Sequence, residues 1–294
     1  MLDRLILGTN SLLGVSHFSR TEARSKLLAL SERKMVETID AALTSGATAI
    51  NLSPSNRFYR LLEKMKEDNS SHEFGVYLML PDFERFRDVM LTKGVTGVMQ
   101  ELLSSMNWSE RVSAATRGLA ALLTSDYSTL LDVYLNLEVQ RLDQALPSRA
   151  HLRSVLAHEQ LTDLAIALDA NQILREFVEA VSKKGVMPGF VTRNFPLFVR
   201  FLDESGINTD NVVIMTPFNK IGFQMTPDRR ACERTLASTG LSKVVAMSIL
   251  AGGRLDLQGA TTYLKTLDGI SSVVVGVSSR LHALETFSKL RGVF

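Results

Sequence analysis

A histidine and a glutamate stand side by side after an apolar run in the segment "RSVLAHE", residues 153–159. Successive side chains of a strand point to opposite faces, so only one of His158 and Glu159 can face a common site unless the chain turns there. A histidine at the end of a strand suits proton transfer near neutral pH. We therefore predict that His158 acts as an acid or base.

Three more polar residues end similar apolar runs, and we predict that they complete a catalytic set with His158. They are Asn51, Glu138 and Arg193. The permanent positive charge of Arg193 can pair with a carboxylate or a phosphate. An alternative interpretation is a metal site in which Glu138 and Asp163 join His158, although the chain lacks a tight ligand spacing such as HExxH.

Glycines and serines close the last two apolar runs, "SILAGG" (248–253) and "VVVGVSS" (273–279). The second run leads into a helix that is predicted to begin at Arg280, with Ser278 or Ser279 as its cap. Backbone N–H groups at a helix N-terminus bind anions, and glycines permit close approach of a ligand. These segments therefore predict a site for a phosphate-bearing ligand.

The elements that position these residues alternate along the chain: short β-branched runs are separated by longer segments of helical period. This alternation predicts βα units around a parallel sheet and, at 294 residues, a (β/α)8 TIM barrel that occupies the whole chain. Nine runs are candidate strands, one more than the barrel needs, so one is an extra strand or wrongly assigned. They are residues 5–10, 48–53, 74–80, 132–138, 153–159, 189–194, 211–219, 243–252 and 271–279.

Residues 83–128 show helical period without a strand, which predicts a helical insertion after the third strand. Such an insertion could cover the barrel mouth or form a contact between subunits. Farther along, Thr226 is predicted to cap a helix that begins at Pro227.

Composition excludes several classes of protein. The formal net charge is +2 with basic residues scattered along the chain, so neither nucleic acid nor an anionic membrane is an expected partner. The single cysteine, Cys232, excludes an internal disulfide and a cysteine-built zinc site. No apolar run reaches the roughly 18 residues of a membrane span. We expect a cytoplasmic protein whose partner is a small molecule.

Most of the chain outside residues 83–128 resembles the aldo-keto reductases in the order and spacing of its motifs. The motifs that carry the resemblance are "LGTNSLLG", "DAALTSGATAINLSPS", "LREFVEAVSKKGVMPGFVTRNF", "VVIMTPFNKIGF", "VVAMSILAGGRL" and "ISSVVVGVSSRLHALETF". The resemblance implies a (β/α)8 barrel with NADP(H) bound at the carboxyl ends of the strands. It also implies carbonyl reduction by a tetrad of aspartate, tyrosine, lysine and histidine.

Carried over to this chain, the tetrad is largely missing. The aspartate falls on Asn51, the tyrosine on Asn56 and the lysine on Leu80, whereas the histidine falls on His158 if "RSVLAHE" is the fourth strand. A displaced phenol such as Tyr59 would be a poor acid without the lysine and aspartate.

The cofactor-binding positions are retained better than the tetrad. The residues that the resemblance assigns to the cofactor are Asn194, Ser278, Ser279, His282 and Glu285. Ser248 and Gly252, in the run predicted to bind a phosphate, complete the predicted cofactor-binding set. Two positions differ from the family: Arg193 stands where the family has serine, and Thr286 stands where it has an adenine-contacting asparagine. The cofactor is therefore left unknown, with NADP(H) as the candidate.

Three functions remain open. The first is a non-redox isomerase or lyase that acts on a small anionic molecule and uses His158, Glu138 and Arg193. The second is an NADP(H)-dependent oxidoreductase with a rearranged proton donor. The third is a binding or subunit-like protein that has lost catalysis, which is favoured if His158 and Glu138 point away from the barrel mouth.

Overall fold

Parallel strands and the helices that follow them make up the part of the chain that the computed structural model describes, residues 2–12, 31–82, 91–94 and 127–294. The strands are β1 (Leu5–Gly8), β2 (Ala49–Leu52), β3 (Phe74–Leu80), β4 (Ala150–Ala157), β5 (Met187–Val191), β6 (Val213–Pro217), β7 (Val244–Met247) and β8 (Ile270–Gly276). The helices are α1 (Glu32–Thr44), α2 (Asn56–Glu67), α3 (Tyr127–Ala145), α4 (Glu159–Ala167), α5 (Asn171–Ser182), α6 (Phe195–Ser205), α7 (Arg229–Ser238), α8 (Leu257–Leu264) and α9 (Arg280–Arg291).

The strands close into a barrel in chain order, because β8 pairs in parallel with β1. Gly8 of β1 is opposite Gly276 of β8 and Asn51 of β2, so the carboxyl ends of all three strands lie at one mouth. The (β/α)8 prediction is therefore confirmed. Within the described residues, no helix has the length and apolar character that a membrane span requires.

Side chains alternate between two apolar layers, as strand geometry demands. The barrel interior is filled by Ile6, Ala49, Tyr77, Met79, Leu156, Val191, Val213, Met215, Val245 and Val274. The intervening residues face the helices, where they pack with helical residues spaced three or four apart, such as Phe58, Leu61, Leu62 and Met65 of α2. At the amino-terminal end, the Tyr77 hydroxyl donates to an Asp3 carboxylate oxygen at 3.0 Å and closes the barrel floor.

Of the nine candidate strands, the one that is wrong is residues 132–138. These residues belong to the 19-residue helix α3. The alternation of Val133, Leu135 and Leu137 with polar residues imitates a strand, but the buried residues Leu135, Glu138 and Leu142 repeat every three to four positions. Glu138 is consequently a helical residue and does not end a strand.

Two other sequence predictions concern segments between elements. The prediction of Thr226 as a helix cap is wrong: Asp228 caps α7, and its carboxylate accepts from the Ala231 N–H at 2.9 Å. Most of the predicted insertion, residues 83–90 and 95–126, lies outside the described residues. The insertion and its suggested role in oligomerisation therefore stay predictions.

Candidate functional site

The barrel mouth brings together polar residues from the carboxyl ends of β2, β4, β5, β6 and β7. In the order of these five strands, the polar residues are Asn51, His158, Arg193, Asn219 and Ser248. Sequence analysis placed Asn51, His158 and Arg193 at strand ends. In (β/α)8 barrels this is the face on which active sites are built.

Asn51, at the position that the resemblance assigns to the tetrad aspartate, makes a hydrogen bond within the barrel wall. Its side-chain amide donates to the Tyr77 carbonyl at 3.1 Å, and its side chain is buried. A carboxylate at this position could not make that donation. Asn51 therefore joins β2 to β3 through its amide and supplies no negative charge.

The cationic side chain of Arg141 contacts Asn56, the residue to which the resemblance assigns the tetrad tyrosine. Asn56 is the first residue of α2, and its side-chain amide oxygen accepts from the Arg141 guanidinium. The same guanidinium lies 4.3 Å from the centre of the Tyr59 ring, a cation–π distance. At the lysine position, Leu80 ends β3 as a buried apolar side chain.

Tyr59 is fully engaged with Glu138 in the layer between α2 and α3. Its hydroxyl donates to the Glu138 carboxylate at 2.9 Å, and both residues are buried. Burial raises the pKa of the Tyr59 phenol far above its ordinary value, and the Glu138 charge raises it further. Tyr59 is therefore unsuited to donate a proton during carbonyl reduction.

Replacing Tyr59 by phenylalanine removes the hydroxyl donor from buried Glu138, so we expect the free energy of unfolding to fall by about 1–3 kcal/mol. Urea denaturation at pH 7 measures this loss. The raised pKa also predicts that the stability contributed by Tyr59 is present below its ordinary pKa of 10.0 and is lost at higher pH. A control variant, Tyr134→Phe, removes a hydroxyl from the same helix layer. Equal stability of wild type and Tyr59→Phe would contradict the hydrogen bond assigned between Tyr59 and Glu138.

His158 directly follows β4, the fourth strand, as its match to the tetrad histidine required. It is the N-cap residue of α4, and its Nδ1 accepts from the Gln160 N–H at 3.1 Å. An acceptor nitrogen carries no proton, so the proton of the neutral imidazole lies on Nε2. In this state Nε2 is a hydrogen-bond donor. To act as an acid in the imidazolium form, His158 must first lose the Gln160 contact.

Glu159 lies next to His158 in space as well as in sequence. The strand ends at Ala157 and the chain turns into α4, so the two side chains do not diverge as they would in a continued strand. Glu159 Oε2 is 3.5 Å from His158 Nε2, while Glu159 Oε1 accepts from Arg193 Nη2 at 2.7 Å. The side chains of His158, Glu159 and Arg193 are 15%, 16% and 38% exposed, so solvent and ligands can reach all three.

Asp163, one turn farther along α4, anchors the end of β5. Its carboxylate accepts from the Thr192 hydroxyl and from the Arg193 backbone N–H, the latter at 3.0 Å. Burial raises the pKa of Asp163, and those two hydrogen bonds oppose the rise. Both oxygens are thus occupied in holding Arg193 in place. Among the described residues, no group of three or more histidine, cysteine or acidic side chains could hold a metal ion.

Backbone strain is concentrated at the ends of β6 and β7. Gln224, Ser248 and Ala251 have φ angles of 61°, 54° and 49°, in the left-handed region that non-glycine residues rarely adopt. The Ser248 hydroxyl donates to the Gln224 side-chain oxygen at 3.2 Å and links the two loops. Gly252 follows with φ of 71°, which glycine adopts readily. Strained residues of this kind accumulate at ligand-binding sites.

The predicted cofactor residues are helix caps or exposed residues near the mouth. Asn194 caps α6, where its side-chain oxygen accepts from the Leu197 N–H at 3.3 Å. Ser279 caps α9, as predicted, and accepts from the His282 N–H at 3.3 Å. Ser278, His282 and Glu285 are exposed around that helix start. Thr286, at the adenine-contact position, is instead buried.

Three contributors to this region were not singled out by sequence reasoning: Thr192, Gln224 and Arg141. Thr192 and Gln224 act through tertiary hydrogen bonds, and the left-handed conformation of Gln224 has no sequence signal because glycine is the residue that normally marks it. Arg141 lies in α3, the helix of which residues 132–138 were wrongly assigned as a strand. Its spacing of three residues from Glu138 would have placed both on one face of a helix.

Comparisons with known proteins give the fold but no close relative. No family model matches the chain, and no curated protein is similar to it in sequence. A protein from Pseudomonas aeruginosa assigned as an aldo-keto reductase has 15% identity and a TM-score of 0.58, with 98% of this chain and 90% of that chain covered. The glycerol dehydrogenase of Gluconobacter oxydans has 14% identity and a TM-score of 0.51, covering 99% and 86%. An aldo-keto reductase from Bacillus halodurans, in its holo form, has 13% identity and a TM-score of 0.52, covering 98% and 86%.

The fold and mouth therefore define a parallel (β/α)8 barrel with a polar site at the carboxyl ends of its strands. Its fold is similar to the folds of the aldo-keto reductase structures. Of the four positions to which the sequence resemblance assigns the tetrad, three hold Asn51, Asn56 and Leu80, and the fourth holds His158.

Proposed function

We propose that this chain is an enzyme of the isomerase or lyase type that acts, without hydride transfer, on a small anionic carbonyl compound at the barrel mouth. One observation carries the proposal. His158, Glu159 and Arg193 form a connected and partly exposed group at the ends of β4 and β5, in a barrel whose reductase acid is absent. The arrangement favours proton chemistry at a carbonyl over its reduction.

His158 would act first as a donor to the carbonyl oxygen. Its Nε2 carries the proton because Nδ1 accepts from Gln160, and a neutral imidazole at a helix N-terminus can polarise a carbonyl without transferring its proton. An acid/base role, as predicted from sequence, would require the Gln160 contact to break. Both roles depend on the imidazole, so replacing it tests them together.

Arg193 would bind the anionic group. Glu159 uses only Nη2 of the guanidinium. The Arg193 Nε atom is buried and has no hydrogen-bond partner among the described residues. An anion that approaches the exposed part of this side chain, which is 38% exposed, can take guanidinium N–H donors that Glu159 leaves unused. The strained loops after β6 and β7 and the start of α9 support a second anionic contact nearby.

Thermal unfolding with a ligand panel tests the proposal. The panel holds inorganic phosphate, dihydroxyacetone phosphate, ribulose 5-phosphate, 3-phosphoglycerate and the uncharged parent compounds. A ligand at about 100 times its Kd adds roughly 2.7 kcal/mol of stability, or about 4 °C in unfolding temperature. We expect such a shift with at least one anionic carbonyl compound and none with its uncharged parent.

A variant of Arg193 tests whether the anionic ligand binds at this side chain. Arg193→Met should remove the shift, whereas Arg33→Met, which removes the same charge from an exposed pair on α1, should keep it. A panel without any shift, or a shift that Arg193→Met leaves unchanged, contradicts the proposal.

An NADP(H)-dependent oxidoreductase is the second candidate, because the similar structures include named aldo-keto reductases and a glycerol dehydrogenase. The Ser279 cap at the start of α9 also fits a dinucleotide phosphate. Adding NADPH would then quench protein fluorescence and raise the unfolding temperature. Binding of NADPH with no response to anionic carbonyl compounds would favour this candidate, and no response to either would favour a non-catalytic protein.

A further inference from the structure

Three carboxylates of the described chain are candidates for a base near His158, and their contacts distinguish them. Glu138 accepts from Tyr59 in the layer between α2 and α3. Asp163 has both oxygens occupied by Thr192 and the Arg193 backbone. Glu159 alone has an oxygen, Oε2, that lies near the His158 imidazole, at 3.5 Å from Nε2.

We propose that Glu159, rather than Glu138, is the catalytic base, and that it moves a proton between two adjacent carbons of an α-hydroxy carbonyl compound. This inference rests on the proposed function, since it requires an anionic carbonyl ligand at the mouth. Glu159 is 16% exposed, so a ligand can reach its carboxylate from the mouth. Arg193, bonded to Oε1, fixes the carboxylate so that Oε2 is left for the substrate proton.

The proton transfer balances without any cofactor. Glu159 Oε2 takes a proton from the carbon that bears the hydroxyl, and the C–H electron pair forms a carbon–carbon double bond. The carbonyl π electrons pass to oxygen, and this oxyanion accepts a hydrogen bond from His158 Nε2–H. The hydroxyl proton of the enediolate then moves to the oxyanion, and the electron pair left on the deprotonated oxygen forms the new carbonyl. The electron pair of the carbon–carbon double bond takes the proton from Glu159 at the former carbonyl carbon, so an aldose and a ketose interconvert.

The chain positions the two groups for this step through its local structure. His158 is the cap of α4 and Glu159 is the first residue of the same helix, so their separation is set by one helix start. The imidazole cannot rotate without losing the Gln160 hydrogen bond. Arg193, held by Asp163, fixes Glu159 from the neighbouring strand end. The donor, His158, is thereby held by Gln160, and the base, Glu159, is held by Arg193.

Exchange of carbon-bound hydrogen for deuterium tests the inference. Dihydroxyacetone phosphate and ribulose 5-phosphate are incubated with the full chain in D2O, and loss of the C–H signals is followed by proton NMR. We expect exchange with wild type and a loss on the order of 100-fold or more in Glu159→Gln. The control Glu37→Gln makes the same change in an exposed pair on α1 and should exchange as wild type does.

Ligand binding by the variants separates the two proposals. Glu159→Gln removes the charge that occupies Arg193, so phosphate compounds should raise its unfolding temperature as much as, or more than, that of wild type. Glu159→Asp keeps the charge on a shorter side chain and should retain part of the exchange activity. Binding without exchange in wild type, or undiminished exchange in Glu159→Gln, overturns Glu159 as the base while leaving the binding proposal intact. A wild-type chain that binds neither compound overturns both.

Discussion

Replacing His158 by asparagine is expected to lower the rate of deuterium exchange by about 10²–10³-fold, because the oxyanion loses its hydrogen-bond donor. Asparagine keeps a side-chain acceptor for the Gln160 N–H, which His158 Nδ1 supplies in the native chain. The helix α4 should therefore keep its cap, and the variant should unfold at nearly the native temperature. Proton NMR exchange and thermal unfolding of the same preparation measure the two effects.

A comparison with alanine separates chemistry from capping. His158→Ala removes donor and cap together, so we expect the same loss of rate and a further loss of about 1 kcal/mol in stability. His72→Asn is the matched control, because His72 lies beside Asp40 on the outside of the barrel. Full exchange activity in His158→Asn would exclude His158 from the reaction.

Replacing Gly189 by alanine is expected to cost about 3 kcal/mol of unfolding free energy, because an added methyl group overpacks the barrel. Gly189 lies in β5 between Leu156 of β4 and Val213 of β6. A Cβ atom there would be 2.8 Å from the Val213 carbonyl oxygen, which is backbone and cannot move aside without disturbing the sheet.

The measurement is thermal unfolding, and a loss of this size corresponds to a decrease of about 5 °C. Gly240→Ala is the control, since a Cβ atom at Gly240 has no neighbour within 4 Å among the described residues. Equal unfolding temperatures for the two variants would show that the strands adjust to the methyl group.

The distribution of charge around the positions that the sequence resemblance assigns to the tetrad supports the proposal of a reaction without hydride transfer. Asn51 and Leu80 bring no charge, and Asn56 is held by Arg141. The remaining phenol in that region, Tyr59, donates to Glu138 and has a raised pKa. Charge that could take part in chemistry lies instead at the ends of β4 and β5, on Glu159 and Arg193.

Much of the barrel could be predicted because strands and helices have local signals. Eight of nine candidate runs overlap an observed strand, and the cap of α9 at Ser279 follows from a serine at the boundary between an apolar run and a helical period. The failure at residues 132–138 has the same origin. Over seven residues, Val133, Leu135 and Leu137 fit the period of a strand, and only the longer spacing to Leu142 identifies the helix.

The sequence by itself determined the alternation of strands and helices, and with it the placement of His158 and Arg193 at strand ends. These features depend on neighbours along the chain, whose side-chain direction follows from the local period. Tertiary structure alone decided that Glu159 pairs with Arg193, 34 positions away, and that Glu138 is buried against Tyr59, 79 positions away. Such partners depend on barrel closure and strand register, which bring distant residues together and which no short segment encodes.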